Sequence, residues 1–361
     1  MKETTERLKI MLVLCLLTAL SVWAAPSQAE VLQARNSGEL SGFSMPGRFP
    51  VQSKSITLED KERKKSLEMV ITYPRAKGSF PLIVFSHGAF GKSGLYSPLV
   101  NHWVSHGYIC IQPTHEDSLE MYGKAAIRDS IRKQGGIGGG RDPRQAFSQA
   151  FARWQMLSFA NWASRPLDIK FIMDNIDRIE SLTAYYPCRI DKRLIGVGGH
   201  SFGAHTSQII GGTIIGGSQE YSDPRPRAIL LLSPQGIESG RNSSLSRESW
   251  KRFSKPMMVI TGTEDTGRNK QSYQWRMDPF KYSSGPHKYL LVIEGADHNF
   301  GGITERSFKN RKKDKTQVSW VKSASLAYFD SYLKGDRKAY SYLRNKDLET
   351  ESNKQVNLSI K

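Results

Sequence analysis

Three side chains widely spaced along 361 residues have the residue types and settings for nucleophilic chemistry: Ser201, His298 and Asp265. Ser201 sits in Gly199-His200-Ser201-Phe202-Gly203. Glycines two before and two after a serine suit a sharp strand-to-helix turn, where a Cβ at either flank would clash. The apolar run Leu194-Ile195-Gly196-Val197 leads into the pentapeptide, and a small-residue helical start, Ala204-His205-Thr206-Ser207, leaves it. A serine hydroxyl is a weak nucleophile at neutral pH. It needs a histidine to take its proton and a carboxylate to hold that histidine in one tautomer.

Downstream of Ser201 the histidines are His205, His287 and His298. His205 lies one turn into the expected helix and cannot fold back onto its own serine. His287 opens an apolar run and so lies at the wrong end of a sheet. His298 closes that run, on a loop carrying Gly295, Gly301 and Gly302, and is the expected base. The acid is expected after an earlier strand of the same edge, where Met257-Met258-Val259-Ile260 ends in Thr261-Gly262-Thr263-Glu264-Asp265. Asp265, one residue further into the loop, is preferred to Glu264. Asp297, the immediate neighbour of His298 in an extended segment, points away from it and suits a loop hydrogen bond.

A developing oxyanion needs two fixed N–H donors, each worth roughly 2.7–4 kcal/mol of barrier. One is expected from Phe202, the residue after the nucleophile. The other is expected from Ala89 in Ser86-His87-Gly88-Ala89-Phe90-Gly91, with Phe90 as the near alternative. His87 and His115 are read as braces of their loops. No cluster of His, Cys and carboxylates has ligand spacing, so neither metal nor cofactor is expected.

The elements that must position these residues are readable as apolar runs. Ser55-Ile56-Thr57-Leu58 and Leu67-Glu68-Met69-Val70-Ile71-Thr72-Tyr73 alternate about a charged turn, as in an edge hairpin. Pro81-Leu82-Ile83-Val84-Phe85, Tyr108-Ile109-Cys110-Ile111, Ala228-Ile229-Leu230-Leu231-Leu232, the Met257 run and Tyr289-Leu290-Leu291-Val292-Ile293 are apolar throughout. Such strands are covered on both faces, as in a parallel sheet. Helices are expected from Ser97-Pro98 to Gly107, from Pro166 through Ile179, and over 316–333 to a stop at Gly335. Alternating strands and helices predict an α/β fold with a doubly wound, mostly parallel, eight-stranded sheet. Its ligand would lie outside the carboxyl ends of the strands.

The expected organisation is a signal peptide over 1–29, an irregular segment over 30–51, a catalytic domain over 52–335 and a charged tail over 336–361, fraying after Ala339. The polar stretch 118–149 interrupts the alternation. It holds Gly135-Gly136-Ile137-Gly138-Gly139-Gly140, but neither an entering strand nor a following Gly-Lys-Ser/Thr makes it a nucleotide loop. A lid-like insertion over the site rim is the expected role.

The net charge is +18. Basic residues are dispersed or confined to Lys61-Glu62-Arg63-Lys64-Lys65 and 306–315, without a nucleic-acid motif, so no nucleic-acid partner is expected. A cation-rich surface that meets anionic envelope polymers or lipid headgroups is the more modest reading. Lys2, Arg7 and Lys9 precede an apolar run over 10–20, and Ser27-Gln28-Ala29 offers a small-residue cleavage site. Export to the periplasm or beyond follows, with an uncut anchor as the alternative. Cleavage would leave Cys110 and Cys188, either paired or as two buried thiols. The sequence sets no oligomeric state.

With these residues in view, the chain resembles the α/β-hydrolase superfamily, in the branch holding platelet-activating factor acetylhydrolases, dienelactone hydrolases and bacterial polyester hydrolases. Phe85-Ser86-His87-Gly88, His115-Glu116-Asp117 and Gly199-His200-Ser201-Phe202-Gly203 most resemble the plasma-type acetylhydrolase, and the likeness spans roughly residues 52–335. It implies hydrolysis of a small-molecule or lipid carboxylic ester through an acyl-enzyme, with oxyanion donors at Ala89 and Phe202. One departure concerns the acid. The plasma-type enzyme carries it after the sixth strand, where this chain has Ser233-Pro234-Gln235-Gly236. Asp265, after the seventh, resembles the dienelactone and polyester hydrolases. The expected function is an exported serine esterase for short-chain acyl or acetyl esters. A lipase, thioesterase or polyester hydrolase on the same triad, and a binding protein on a hydrolase fold, are the alternatives.

Overall fold

Val51–Asp60 (β1) and Lys65–Pro74 (β2) form an antiparallel hairpin whose charged turn closes with Lys64 at φ +51°. The computed structural model describes residues 42–120, 162–183, 188–237, 244–267, 270–305 and 313–361. Beyond the hairpin, Gly78–Ser86 (β3), Ile109–Pro113 (β4), Cys188–His200 (β5), Pro226–Leu232 (β6), Met257–Gly262 (β7) and Lys288–Ile293 (β8) follow. They pair in parallel in the order β4-β3-β5-β6-β7-β8. After β4 the chain crosses back over β3 to lay β5 on its other side. The carboxyl ends of β3 and β5 therefore flank a topological switch point, the place where open α/β sheets hold their ligands. Ser86 and Gly199 are register partners there.

Helices cover both faces. Ser97–Ser105 (α1) lies on one face; Ser164–Asp174 (α2), Ile176–Leu182 (α3) and Phe202–Gly211 (α4) lie on the other. Asp278–Tyr282 (α5) precedes β8, and Lys315–Phe329 (α6) joins α1. Successive strand residues feed opposite cores, as the two-residue period requires. Leu230 and Met258 belong to the core that holds Trp103, Tyr328 and Phe329, whereas Leu231 and Val259 belong to the core that holds Ile169, Ile172 and Ile209. This is the α/β-hydrolase architecture.

Two local expectations change. The helix from Pro166 divides at Asn175, where φ is −110° and the side-chain amide donates to the Phe171 carbonyl at 2.9 Å. The tail does not fray. Asp336 caps Arg337–Arg344 (α7), Asp347–Glu351 (α8) follows, and Val356–Ile360 (β9) pairs antiparallel with β8. Buried Val356 and Leu358 alternate with exposed Asn357, a pattern too short to stand out in a charged segment. The sheet thus has nine strands, one more than expected.

Cys110 and Cys188 are free. They lie on β4 and β5 with β3 between them, so two strand spacings, about 9.5 Å, exceed the reach of a disulfide. Cys110 is buried, while Cys188 is half-buried. Segment 1–29, and all but the first three residues of 118–149, lie outside the described residues. Among the described residues no helix is long and apolar enough to cross a membrane.

Candidate active site

Ser201 stands alone between β5 and α4 at φ +55° and ψ −119°, a conformation that favours glycine and that a side chain occupies only under constraint. The constraint is visible on both flanks. Its amide donates to the Leu232 carbonyl at 2.9 Å, tying the turn to the end of β6. A Cβ on Gly199 would stand 2.3 Å from the Gly203 carbonyl, and one on Gly203 only 2.0 Å from the Ser86 carbonyl oxygen. The glycines of the pentapeptide thus serve two contacts: the elbow closing on itself, and α4 pressed against the end of β3.

Asp265 and His298 come from the ends of β7 and β8 and meet. His298 Nδ1–H donates to Asp265 Oδ1 at 2.7 Å, which leaves Nε2 with its lone pair. Asp265 is fully buried and the His298 side chain one-third exposed. Arg276 Nε also lies 2.7 Å from Asp265 Oδ1, and the Thr261 hydroxyl donates to Oδ2 at 3.1 Å. Burial alone would raise the Asp265 carboxyl. The His298 hydrogen bond and the Arg276 charge outweigh it and hold the group below its ordinary value. Arg276 is in turn fixed by the carbonyls of Ser233, Pro234 and Thr266. Glu264, the competing acid, is exposed. Asp297 accepts from the Asn299 amide, a loop hydrogen bond. His287 lies at the opposite end of β8 and bonds Tyr332, and buried His205 contacts Gln208.

The two oxyanion candidates in the loop after β3 differ in their hydrogen bonds. Phe90 N–H donates to Asp117 Oδ2 at 3.2 Å, while no hydrogen bond of Ala89 N–H occurs among the described residues. Phe202 N–H is the first amide of α4, at the helix end whose early N–H groups have no intrahelical acceptor. The loop rests on a buried polar scaffold. Arg165 makes a bidentate pair with Asp117 and donates to the His87 carbonyl at 2.6 Å. His87 accepts from the His115 amide at Nε2 and donates from Nδ1 to the Gly88 carbonyl, an arrangement for a neutral ring. Burial first, then the Arg165 charge, push His87 down to about 4.

Beneath this loop lies a second Ser-His-Asp set. Ser86 Oγ stands 2.8 Å from His115 Nε2, and His115 Nδ1 stands 2.8 Å from Asp168 Oδ2. Its distances would suit catalysis, but all three residues are sealed from solvent. Arg63 and Lys65 neutralise Asp168, and burial drives His115 well below its usual range. This set braces the β3 end; it cannot meet a substrate. Among the described residues no cluster of three metal-ligating side chains occurs.

Sequence reasoning missed Arg276, Arg165 and Asp168, which carry no local pattern. It also left His200 without a role, although the residue lies inside the pentapeptide. Its ring packs 4.7 Å from that of His298.

The chlorophyllase family model matches residues 41–133, which span β1 to β4 and the Ala89 loop but not Ser201. Chlorophyllase-1 of Arabidopsis thaliana is 35% identical over 60 residues, 17% of this chain and 18% of its own. Chlorophyllase type 0 of Chenopodium album is 28% identical over 83 residues, 23% of this chain and 24% of its own. Platelet-activating factor acetylhydrolase of Cavia porcellus is 23% identical over 277 residues, 72% of this chain and 58% of its own. The chain resembles the α/β-hydrolase serine esterases. Its matches span between about a fifth and three-fifths of the length of these curated relatives.

Proposed function

We propose that this protein is an exported serine hydrolase of carboxylic esters, acting on short-chain acyl or acetyl esters through an acyl-enzyme. The observation that carries the reading is the Asp265–His298 hydrogen bond at 2.7 Å, made at the same sheet edge as the strained Ser201 elbow. In the proposed cycle His298 Nε2 takes the Ser201 proton as Oγ attacks the ester carbonyl. The oxyanion is received by Ala89 N–H and Phe202 N–H. The alkoxide leaves with the proton from His298, and water, activated by the same ring, releases the acid. Asp265 holds Nδ1–H and offsets the imidazolium charge that forms. Likeness to an acetylhydrolase over 72% of the chain supports the acetyl-ester end of this range. The charged N-terminal address supports export, and the +18 charge supports contact with anionic envelope surfaces.

The test is hydrolysis of p-nitrophenyl acetate and butyrate in stopped flow. Wild-type protein should give an acyl-enzyme burst, and Ser201→Ala should abolish it while keeping the circular dichroism of the folded chain. An unchanged burst in Ser201→Ala removes Ser201 from the chemistry. Longer p-nitrophenyl esters in the same assay set the acyl-chain limit.

A further inference from the structure

His200 makes two hydrogen bonds that point in opposite directions across the site. Its Nε2 lies 2.7 Å from the His298 carbonyl oxygen, and its Nδ1 lies 2.8 Å from Tyr96 Oη. A carbonyl only accepts, so Nε2 carries the proton. In a neutral ring Nδ1 then accepts, and the Tyr96 hydroxyl must be the donor. Tyr96 Oη receives the Gly88 amide at 3.1 Å. The result is one directed chain: Gly88 N–H to Tyr96 Oη, Tyr96 O–H to His200 Nδ1, His200 Nε2–H to the His298 carbonyl.

Its two ends lie on two separate loops of the site. Gly88 directly precedes Ala89, whose N–H is the assigned oxyanion donor. The His298 carbonyl belongs to the base itself, on a loop with φ +65° at Gly295, +71° at Gly301 and +124° at Gly302. A glycine-rich loop of this kind does not hold one conformation unaided. The middle of the chain is rigid: Tyr96 is 2% and His200 5% exposed, and Tyr96 packs against Phe85 with ring centroids 5.1 Å apart. Burial first, then the neighbouring His298, push His200 down to about 3, so the ring stays neutral and the chain keeps its direction at working pH.

We infer that His200 and Tyr96 are positioning residues that lock the oxyanion loop and the loop of the catalytic base into one register. The inference rests on the ester-hydrolase reading for its kinetic consequence, but not for the coupling itself. Tyr96→Phe removes a single oxygen and strands both Gly88 N–H and His200 Nδ1. His200→Asn keeps an acceptor for Tyr96 but cannot reach the His298 carbonyl; His200→Gln can reach it with its amide N–H.

The experiment measures kcat and KM on p-nitrophenyl butyrate per active site, counted by burst amplitude, together with hydrogen exchange of segment 294–305. Tyr96→Phe and His200→Asn should each lower per-site kcat at least about tenfold, with KM within about twofold, because misplacement by a fraction of an ångström weakens only the transition state. The double variant should lose no more than the worse single one, and His200→Gln should regain part of the loss. Within that segment the amides of 296–303 should exchange faster in Tyr96→Phe, because the chain of bonds reaches them from Tyr96 only through His200; Glu305, whose N–H donates to the Leu95 carbonyl at 3.0 Å, is set aside. Unchanged per-site kcat, or losses that multiply in the double variant, would overturn the brace. So would unchanged exchange in Tyr96→Phe, a readout that holds even if no ester is turned over. Absence of Ser201-dependent hydrolysis in the wild type instead overturns the proposed function. If the His200 variants do not fold, Tyr96→Phe alone decides.

Discussion

Replacing Asp265 by asparagine keeps the shape of the side chain and removes its charge. One oxygen can still accept from His298 Nδ1 and Arg276 Nε, both now 2.7 Å from Oδ1, while the amide faces the Thr261 hydroxyl. Two losses follow. Catalysis loses the charge that stabilises the forming imidazolium, which should lower kcat by about 10³–10⁴, less than loss of Ser201 or His298. Stability loses the counter-charge of Arg276, a guanidinium only 4% exposed. Removing one partner of a buried pair costs about 3–5 kcal/mol. With an unfolding entropy near 2 cal/mol/K per residue, that is a fall of about 4–7 °C in Tm.

The pH dependence carries the sign. The Asp265 carboxyl is lowered in the fold, burial opposing and the His298 hydrogen bond and Arg276 charge prevailing. Its stabilisation is therefore complete above the ordinary carboxylate value and is lost as pH falls through the lowered one. Protonated aspartic acid then leaves Arg276 as the asparagine does, so the Tm gap between wild type and Asp265→Asn should be full at pH 7, begin to narrow below about pH 4 and close only as pH falls through the lowered value. Differential scanning calorimetry from pH 3 to 7, with p-nitrophenyl butyrate kinetics at pH 7, measures both effects. A gap constant across that range refutes the ion-pair reasoning. Near-normal kcat in Asp265→Asn, with a crippled Glu264→Gln, refutes the choice of acid.

The sealed Ser86–His115–Asp168 set predicts that Ser86→Ala keeps fluorophosphonate labelling at Ser201, while Ser201→Ala abolishes labelling altogether. Ser86→Ala should lower stability by about 1–3 kcal/mol, the penalty of an unpaired buried partner, and labelling lost with Ser86 would make the buried set the reactive one. Co-sedimentation with anionic vesicles should weaken between 0.1 and 1 M salt as the Debye length shrinks from about 10 to about 3 Å. Hydrolysis of soluble esters should not change over that range. Exchange of Arg311, Lys312, Lys313 and Lys315 for glutamine should weaken docking, and equal binding by parent and variant would leave that basic run without a role at membranes.

Much of the architecture is legible in the sequence because it rests on short-range rules. An unbroken apolar run declares a strand covered on both faces, and each of the eight expected strands has a counterpart in the sheet. Gly199 and Gly203 declare an elbow because a Cβ at either place would strike backbone. Ser201, Asp265 and His298 stand out because each follows such a strand within a few residues. Other features have no local trace. Phe90 N–H is taken by Asp117, 27 residues away, a bond with no sign in the sequence around either residue. Exposure of Glu264 and burial of Asp265, adjacent in sequence, follow from how the turn after β7 meets β8. Arg276 on Asp265, the Tyr96–His200 chain and the sealed second Ser-His-Asp set join residues 11, 104 and up to 82 positions apart. Strand β9 hides in a charged tail because two buried positions, Val356 and Leu358, suffice once β8 offers an open edge. Backbone conformation and burial period are written residue by residue. Which strand ends become neighbours, and so which polar groups must find one another in a dry interior, is decided only when the sheet assembles.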